Sequence, residues 1–318
     1  MLPKKFIFQY HEKLPPKYQV LRSIEEKELK NFLSYFPQGI ISLDLETTGL
    51  SPLLHQVVEI SAIKITPEGK IEIFDTLINP LVPIAPESTA IHQINNEMVK
   101  ESPLFSHIVH DFIDFIGDIP LLAHNAFFDI GFIIGELHRQ KTLFPKNEVF
   151  DSFKLTKELL DKKIIKSFKL SNLAKHFHLD CTNFHRSFED SFCCLMIMLK
   201  IFQDQTKYSL QERPAPLTKL NFYGEISLED IPEHLSDFYQ LKKDDLFLLQ
   251  YKGKSIKERQ RPVQMVSILP MPQGQMLYAL CLISKQYKYF SIKKVEGISL
   301  LSNEDQKELL KNYPHEKK

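Results

Sequence analysis

Asp44 and Glu46 stand one residue apart in Asp44-Leu45-Glu46-Thr47-Thr48-Gly49, directly after an apolar run, 39–43, that reads as a buried strand. Strand side chains alternate, so both carboxylates point to the same side. Acids held together repel unless a proton or a cation neutralises them. A strand that ends in such a pair therefore suggests a divalent-metal site. Asp-x-Glu also arises by chance, so the chemistry depends on partners elsewhere in the chain.

Two further acidic segments supply them. Ala123-His124-Asn125-Ala126-Phe127-Phe128-Asp129 leaves an apolar run and enters a helical pattern, which puts Asp129 on the first helical turn, facing back towards the strand end. His185-Arg186-Ser187-Phe188-Glu189-Asp190 enters a second apolar helix. Taken singly, an Asp at a helix start caps it or complements its dipole, and a loop histidine is simply exposed. Together, Asp44, Glu46, Asp129 and Asp190 fall at one strand end and two helix starts. Such a set can hold two magnesium ions about 4 Å apart, which activate water, orient a phosphodiester and stabilise the leaving oxygen. His185 is then the candidate general base, since its unperturbed pKa lies near neutrality. Glu189, adjacent to Asp190, is the ambiguity in the ligand set and would point elsewhere on a helix.

The elements that must position these groups follow from periodicity. Residues 1–37 read as a polar lead-in, with a capping box at Ser23-Ile24-Glu25-Glu26 followed by Leu29, Phe32, Leu33 and Phe36 at helical spacing. Strands are expected at 39–45, 57–66 and 70–78, the last two turning at Pro67-Glu68-Gly69. After a loop marked by Pro80, Pro83 and Pro86 come helices at 96–100 and 104–117 and a strand at 119–123. A helix at 127–140 carries Ile130, Ile133, Ile134 and Leu137 on one face. A short strand at 149–151 and helices at 155–160, 170–177 and 189–202 complete this part. Strands first, then strands alternating with helices, indicate an α/β layer with a mixed sheet over 38–206. Apolar periodicity is lost near Arg213-Pro214-Ala215-Pro216, so 207–224 reads as a linker. Beyond a short helical piece at 235–241, strand patterns at 246–251, 263–269, 276–283 and 287–292 give a small β domain, 225–318.

With 318 residues, 43% hydrophobic and 25% charged, the composition is that of a soluble globular protein of two domains. No apolar run approaches the roughly 20 residues of a membrane span, and the N-terminus lacks a secretory signal pattern. Cys181, Cys193, Cys194 and Cys281 form no Cys-x-x-Cys pair, which argues against a zinc or redox motif and for a reducing cytoplasm. The net charge is zero, yet 252–294 holds nine Lys or Arg against one acid, Glu258. Such a stretch is either a solvated face or a phosphate-binding surface.

Asp44-x-Glu46-Thr47-Thr48-Gly49, His124-Asn125-x-x-x-Asp129 and His185-x-x-x-x-Asp190, in this order, resemble the three motifs of the DEDDh 3′–5′ exonucleases. That family includes the epsilon subunit of bacterial DNA polymerase III. Ile91-His92-Gln93-Ile94 is similar to its Ile-His-Gly-Ile segment, with Gln93 in place of glycine, and Asp151-Ser152 and Leu170-Ser171-Asn172-Leu173 match less specific positions. The resemblance implies a ribonuclease H-like fold over 38–206. It implies Asp44, Glu46, Asp129 and Asp190 as ligands of two Mg²⁺ or Mn²⁺ ions, and His185 as base. Thr47, Leu50, His92, Asn125 and Phe128 would lie on the substrate side. The implied activity is hydrolysis from the 3′ end of DNA, single-stranded in the first instance, with a DNA polymerase or repair protein as candidate partner. Tyr251, Arg261-Pro262-Val263, Pro270, Leu277-Tyr278 and 290–295 resemble a WYL domain that lacks its tryptophan, which implies a sensor of nucleic acid or nucleotides. The alternatives are an exoribonuclease of the same family, or a regulatory protein whose working part is the C-terminal domain.

Overall fold

The structure, a computed structural model, describes residues 7–9, 15–52, 54–142, 146–161, 163, 165, 167–181, 183–204, 212–216, 218–219, 232–242, 244–252, 260–271 and 274–313. The chain divides into two units, Met1–Asn221 and Phe222–Lys318.

The first unit runs β1 (Ile7–Gln9), α1 (Glu26–Tyr35), β2 (Ile40–Thr47), β3 (Val57–Ile65), β4 (Ile71–Leu77), α2 (Pro86–His92), α3 (Asn96–Val99), α4 (Phe105–Ile116), β5 (Leu121–Ala123), α5 (Phe127–Arg139), β6 (Glu148–Asp151), α6 (Ser152–Leu159), α7 (Leu170–His176), α8 (Ser187–Gln203) and β7 (Thr218–Lys219). Its strands form one sheet in the order β1-β4-β3-β2-β5-β6-β7. The β2–β5 and β5–β6 pairs are parallel; the others are antiparallel. This is the mixed sheet flanked by helices expected from the sequence.

Both faces of the sheet are covered, which is why its strands read as continuous apolar runs. Ile73 and Phe74, neighbours on β4, show it. Ile73 joins the core formed with α1 and α8, while the Phe74 ring packs on Phe112 of α4 at 5.5 Å. On the α8 side, the rings of Phe32, Phe36 and Phe202 lie 5.0–5.6 Å apart. The β3–β4 turn closes through Gly69, whose φ of +78° places it in the left-handed region glycine tolerates.

Residues read as a lead-in belong to this core. Strand β1 pairs with β4, and Tyr18, Leu21 and Phe32 are buried in it. The Ser23 hydroxyl does not cap α1; it donates to Val20 O at 2.8 Å, closing the preceding 3₁₀ segment. The Glu28 carboxylate instead accepts the Glu25 N–H at 3.3 Å. In the span read as linker, Arg213 pairs with Glu148 at 2.5 Å and Thr218–Lys219 adds β7 to the sheet; residues 205–211 and 220–231 lie outside the described ones.

The second unit holds β8 (Leu246–Tyr251), β9 (Gln260–Met271), β10 (Gly274–Cys281), β11 (Gln286–Ser291), β12 (Val295–Leu300) and α9 (Asn303–Asn312). Its sheet is antiparallel throughout, in the order β11-β10-β9-β8-β12. Phe247, Leu249, Val263, Leu277 and Phe290 form its core, and Leu309 and Tyr313 pack against Leu246, Leu280 and Leu282. This is the expected C-terminal β domain, extended by β12 and α9. Among the described residues, no helix is long and apolar enough to cross a membrane.

Candidate active site

The site starts where β5 stops. Ile41 N–H donates towards β5, to Pro120 O at 2.9 Å, and the parallel register covers only Ile41 and Ser42. Leu45 N–H lies on the same side of β2, because alternate amides of a strand face the same neighbour. With no strand beside it, that amide donates to Asp129 Oδ1 at 3.1 Å. A carboxylate from the first turn of α5 thus occupies the place of a neighbouring strand and sits next to Asp44 and Glu46. A bulge between Glu46 and Thr47 ends the regular β2–β3 register immediately afterwards, a feature common beside active sites.

Asp44, Glu46 and Asp190 offer carboxylate oxygens that all lie within 4.8 Å of one another. Asp190 comes from the first turn of α8. Its Oδ2 accepts the His185 N–H at 3.1 Å, whereas its Oδ1 is buried with no hydrogen-bond partner among the described residues. Buried, clustered and like-charged, these acids hold their protons more tightly than usual. Asp44 is raised well above its ordinary value by burial, then by Asp129, Asp190 and Glu46. Burial, followed by Asp190, Glu59 and Asp129, pushes Glu46 up to about 9. Asp190 rises to about 7, mainly through burial. Burial also raises Asp129, against the backbone bond from Leu45. An all-oxygen donor set with an orphaned buried carboxylate oxygen fits a hard divalent cation. Asp129 is outside the converging three; Glu189 is half-buried and also outside them.

Another acid beside the cluster is managed differently. Glu59 faces Glu46 across the β2–β3 ladder and is 3% exposed. Arg186 donates to it twice, from Nη2 at 2.5 Å and Nε at 3.1 Å, and Ser187 N–H donates to the same carboxylate at 3.0 Å. This clamp ties the start of α8 to β3. It fixes the residue that follows His185, which itself has a φ of +67° and is exposed.

Residues 47–52 and 54–56 are held on two sides. Thr47 Oγ1 donates to Gly49 O at 2.6 Å, and the His55 ring packs so close to Gly49 that a Cβ there would meet it at 2.5 Å. Leu50 is 83% exposed at the tip. From α5, Glu136 accepts Val57 N–H at 3.0 Å and Arg139 donates to Pro52 O and His55 O at 2.9 and 3.2 Å. The α5 backbone approaches closely at Gly135, where a Cβ would lie 2.5 Å from Pro52 O. His92 is buried, with Nε2 3.2 Å from Thr47 O and Nδ1 accepting Ile94 N–H at 3.0 Å. Both its ring nitrogens are engaged by backbone, so it braces Thr47.

Asn125 is exposed, with a φ of +67°, and its N–H donates to Asp151 Oδ1 at 3.0 Å. Phe128 is half-buried and packs on Phe132 at 4.9 Å. Both ring nitrogens of His124 are engaged, with Nδ1 2.8 Å from Ser152 Oγ and Nε2 3.0 Å from Phe168 O. Burial lowers its pKa, so it is a neutral anchor. Reading the sequence passed over Glu59, Arg186, Glu136 and Arg139. The available signal was Glu59 itself, an acid inside the apolar run Val57-Val58-Glu59-Ile60, since a buried charge demands a partner.

Residues 41–198 match the family model described as RNase_T, Exonuclease. DNA polymerase III subunit epsilon of Treponema pallidum is 32% identical over 166 residues, which cover 52% of this chain and 77% of that protein. The chain belongs to the DEDDh exonucleases. DNA polymerase III PolC-type of Caldanaerobacter subterraneus is 30% identical over 211 residues, or 63% of this chain, and the match spans only 15% of that much longer protein. Among solved structures, Exonuclease X in complex with 5′ overhanging duplex DNA aligns with a TM-score of 0.41 at 22% identity, covering 55% of this chain and 96% of that one. The DEDDh family is divalent-metal dependent, in keeping with the carboxylate cluster.

Proposed function

We propose that the protein is a 3′–5′ exonuclease that removes nucleotides from single-stranded DNA ends. The observation that carries this reading is the convergence of Asp44, Glu46 and Asp190 beside His185, whose backbone is tied to Asp190. Support for DNA comes from the relatives, which are DNA polymerase III proteins; a polymerase is accordingly the proposed partner.

Asp44, Glu46, Asp190 and Asp129 would hold two Mg²⁺ or Mn²⁺ ions, which when bound supply the positive charge that polarises a phosphodiester and acidifies water. The chain's own groups do the rest. His185, exposed at the mouth, takes the proton of the attacking water at its imidazole. The exposed Leu50 meets the terminal base, and backbone groups of the braced segment 47–50 receive the terminal nucleotide. Asn125 and Phe128 line the opposite side, at the start of α5. Holding the 3′ end against these fixed elements converts the attack into a near-unimolecular step.

The test is digestion of a 5′-labelled oligonucleotide with Mg²⁺ and with EDTA, beside the matched RNA. A ladder of shortened DNA is expected with metal only, absent in Asp44→Ala. A ladder that persists in Asp44→Ala refutes the site, and faster shortening of RNA refutes the DNA assignment.

A further inference from the structure

The edge of the C-terminal sheet carries rings and charge that the exonuclease site does not use. Among the described residues, strand β11 pairs only with β10 and is the outermost strand of its sheet. Tyr287 and Tyr289 alternate on it and so share one side. Both rings rest on Tyr278 of β10, Tyr287 at 5.5 Å and 24°, Tyr289 at 5.0 Å and 37°. Tyr278 is only 3% exposed, whereas Tyr287 is 45% exposed. A buried ring therefore backs two outer rings at defined tilts.

Positive charge flanks this pair. Lys285 is exposed in the turn before β11, and Lys293 and Lys294 are exposed just after it. Lys293 reaches over Gly274, where a Cβ would come within 3.7 Å of its Nζ. Lys252 is drawn alongside by its N–H bond to Lys294 O at 2.9 Å. From 260 to 294 the chain has Arg261, Lys285, Lys288, Lys293 and Lys294, and no Asp or Glu.

We propose that this edge is a binding platform for single-stranded nucleic acid, with bases on Tyr287 and Tyr289 and phosphates near Lys285, Lys293 and Lys294. An exposed ring, Tyr287, beside the half-buried Tyr289 and interleaved with cations suits a single strand, whose bases offer π-faces; a duplex hides those faces inside its stack. Spacing favours an extended strand. Alternate side chains on a β-strand recur every ~6.8 Å, twice the ~3.4 Å rise of stacked bases. An acidic polypeptide would satisfy the lysines but bring no base to the exposed face of Tyr287.

The proposal rests on the reading that the protein acts on nucleic acid, and its test uses DNA with no 3′ end. The full chain is titrated in EDTA against a fluorescent, covalently circular oligothymidylate, read by anisotropy. Binding is expected, weakened about 10-fold or more in Tyr287→Ala/Tyr289→Ala and retained in Tyr287→Phe/Tyr289→Phe. Lys285→Gln/Lys293→Gln should make the affinity less steeply salt-dependent, by about one unit of log–log slope or more. Absence of binding to the circle, equal binding by the alanine variant with an unchanged melting temperature, or competition by polyglutamate as strong as by polythymidylate each overturns it. If the alanine variant melts early, an unchanged salt slope in the lysine variant overturns it as well. Shortening of linear DNA in Mg²⁺, measured in parallel, reports on the exonuclease site alone.

Discussion

Arg186 grips both carboxylate oxygens of Glu59, at 2.5 and 3.1 Å, directly across the ladder from Glu46. Two neighbouring acids on adjacent strands are thus neutralised by different means. Glu59 has a resident guanidinium; Glu46 shares its pocket with other acids.

That difference predicts a double-mutant cycle. Arg186→Ala strands a buried carboxylate and should cost about 3–5 kcal/mol. Arg186→Ala with Glu59→Gln should recover part of the loss, because the stranded charge is gone. Urea unfolding of the three proteins checks this; equal stability of the single and double variants would remove the ion pair from the account.

Removing the cation should make stability depend on pH. In the folded protein Glu46 titrates at about 9 and Asp190 at about 7, against roughly 4 in the unfolded chain. Between those values the folded state binds more protons, so its stability falls as pH rises. Melting temperature in EDTA should therefore drop from pH 5.5 to pH 9, and Mg²⁺ should flatten the curve. Asp44→Asn, which removes one like charge, should reduce the drop.

Asp129 has two separable jobs. Asp129→Asn keeps an acceptor for Leu45 N–H and should fold normally while binding Mn²⁺ about 10-fold or more weakly, by titration calorimetry. Asp129→Ala leaves that buried amide unpaired and should lose about 1–3 kcal/mol. Identical unfolding curves for the two variants would contradict the role of the Leu45 bond.

His185→Ala should lower single-turnover rates by about 10²–10⁴ while leaving oligonucleotide affinity in EDTA unchanged within error. A parallel loss of affinity would make His185 a binding group instead of a base.

Much of this was legible in the residues, and the exceptions have physical causes. Asp44, Glu46 and Asp190 announce themselves because each sits where an apolar run begins or ends. Strand β2 and helices α5 and α8 are readable because their burial is near-continuous. The Glu59–Arg186 contact joins residues 127 apart, so no local pattern reveals it. Tyr18 and Leu21, buried in the core, lie among prolines and lysines that read as lead-in. Strand β12 escapes notice because Glu296 and Gly297 interrupt its alternation at a bulge. The two-residue β7 is too short for any periodicity.

The early end of β5 also limits how this protein can be made sturdier. Extending a strand to complete its ladder is ordinarily a safe way to stabilise a sheet. Here two more paired residues on β5 would claim the Leu45 amide, evict Asp129 and close the mouth beside Asp44. The result would be a better scaffold with no chemistry. Stabilising designs should therefore work on the outer strands and leave this one gap in the weave open.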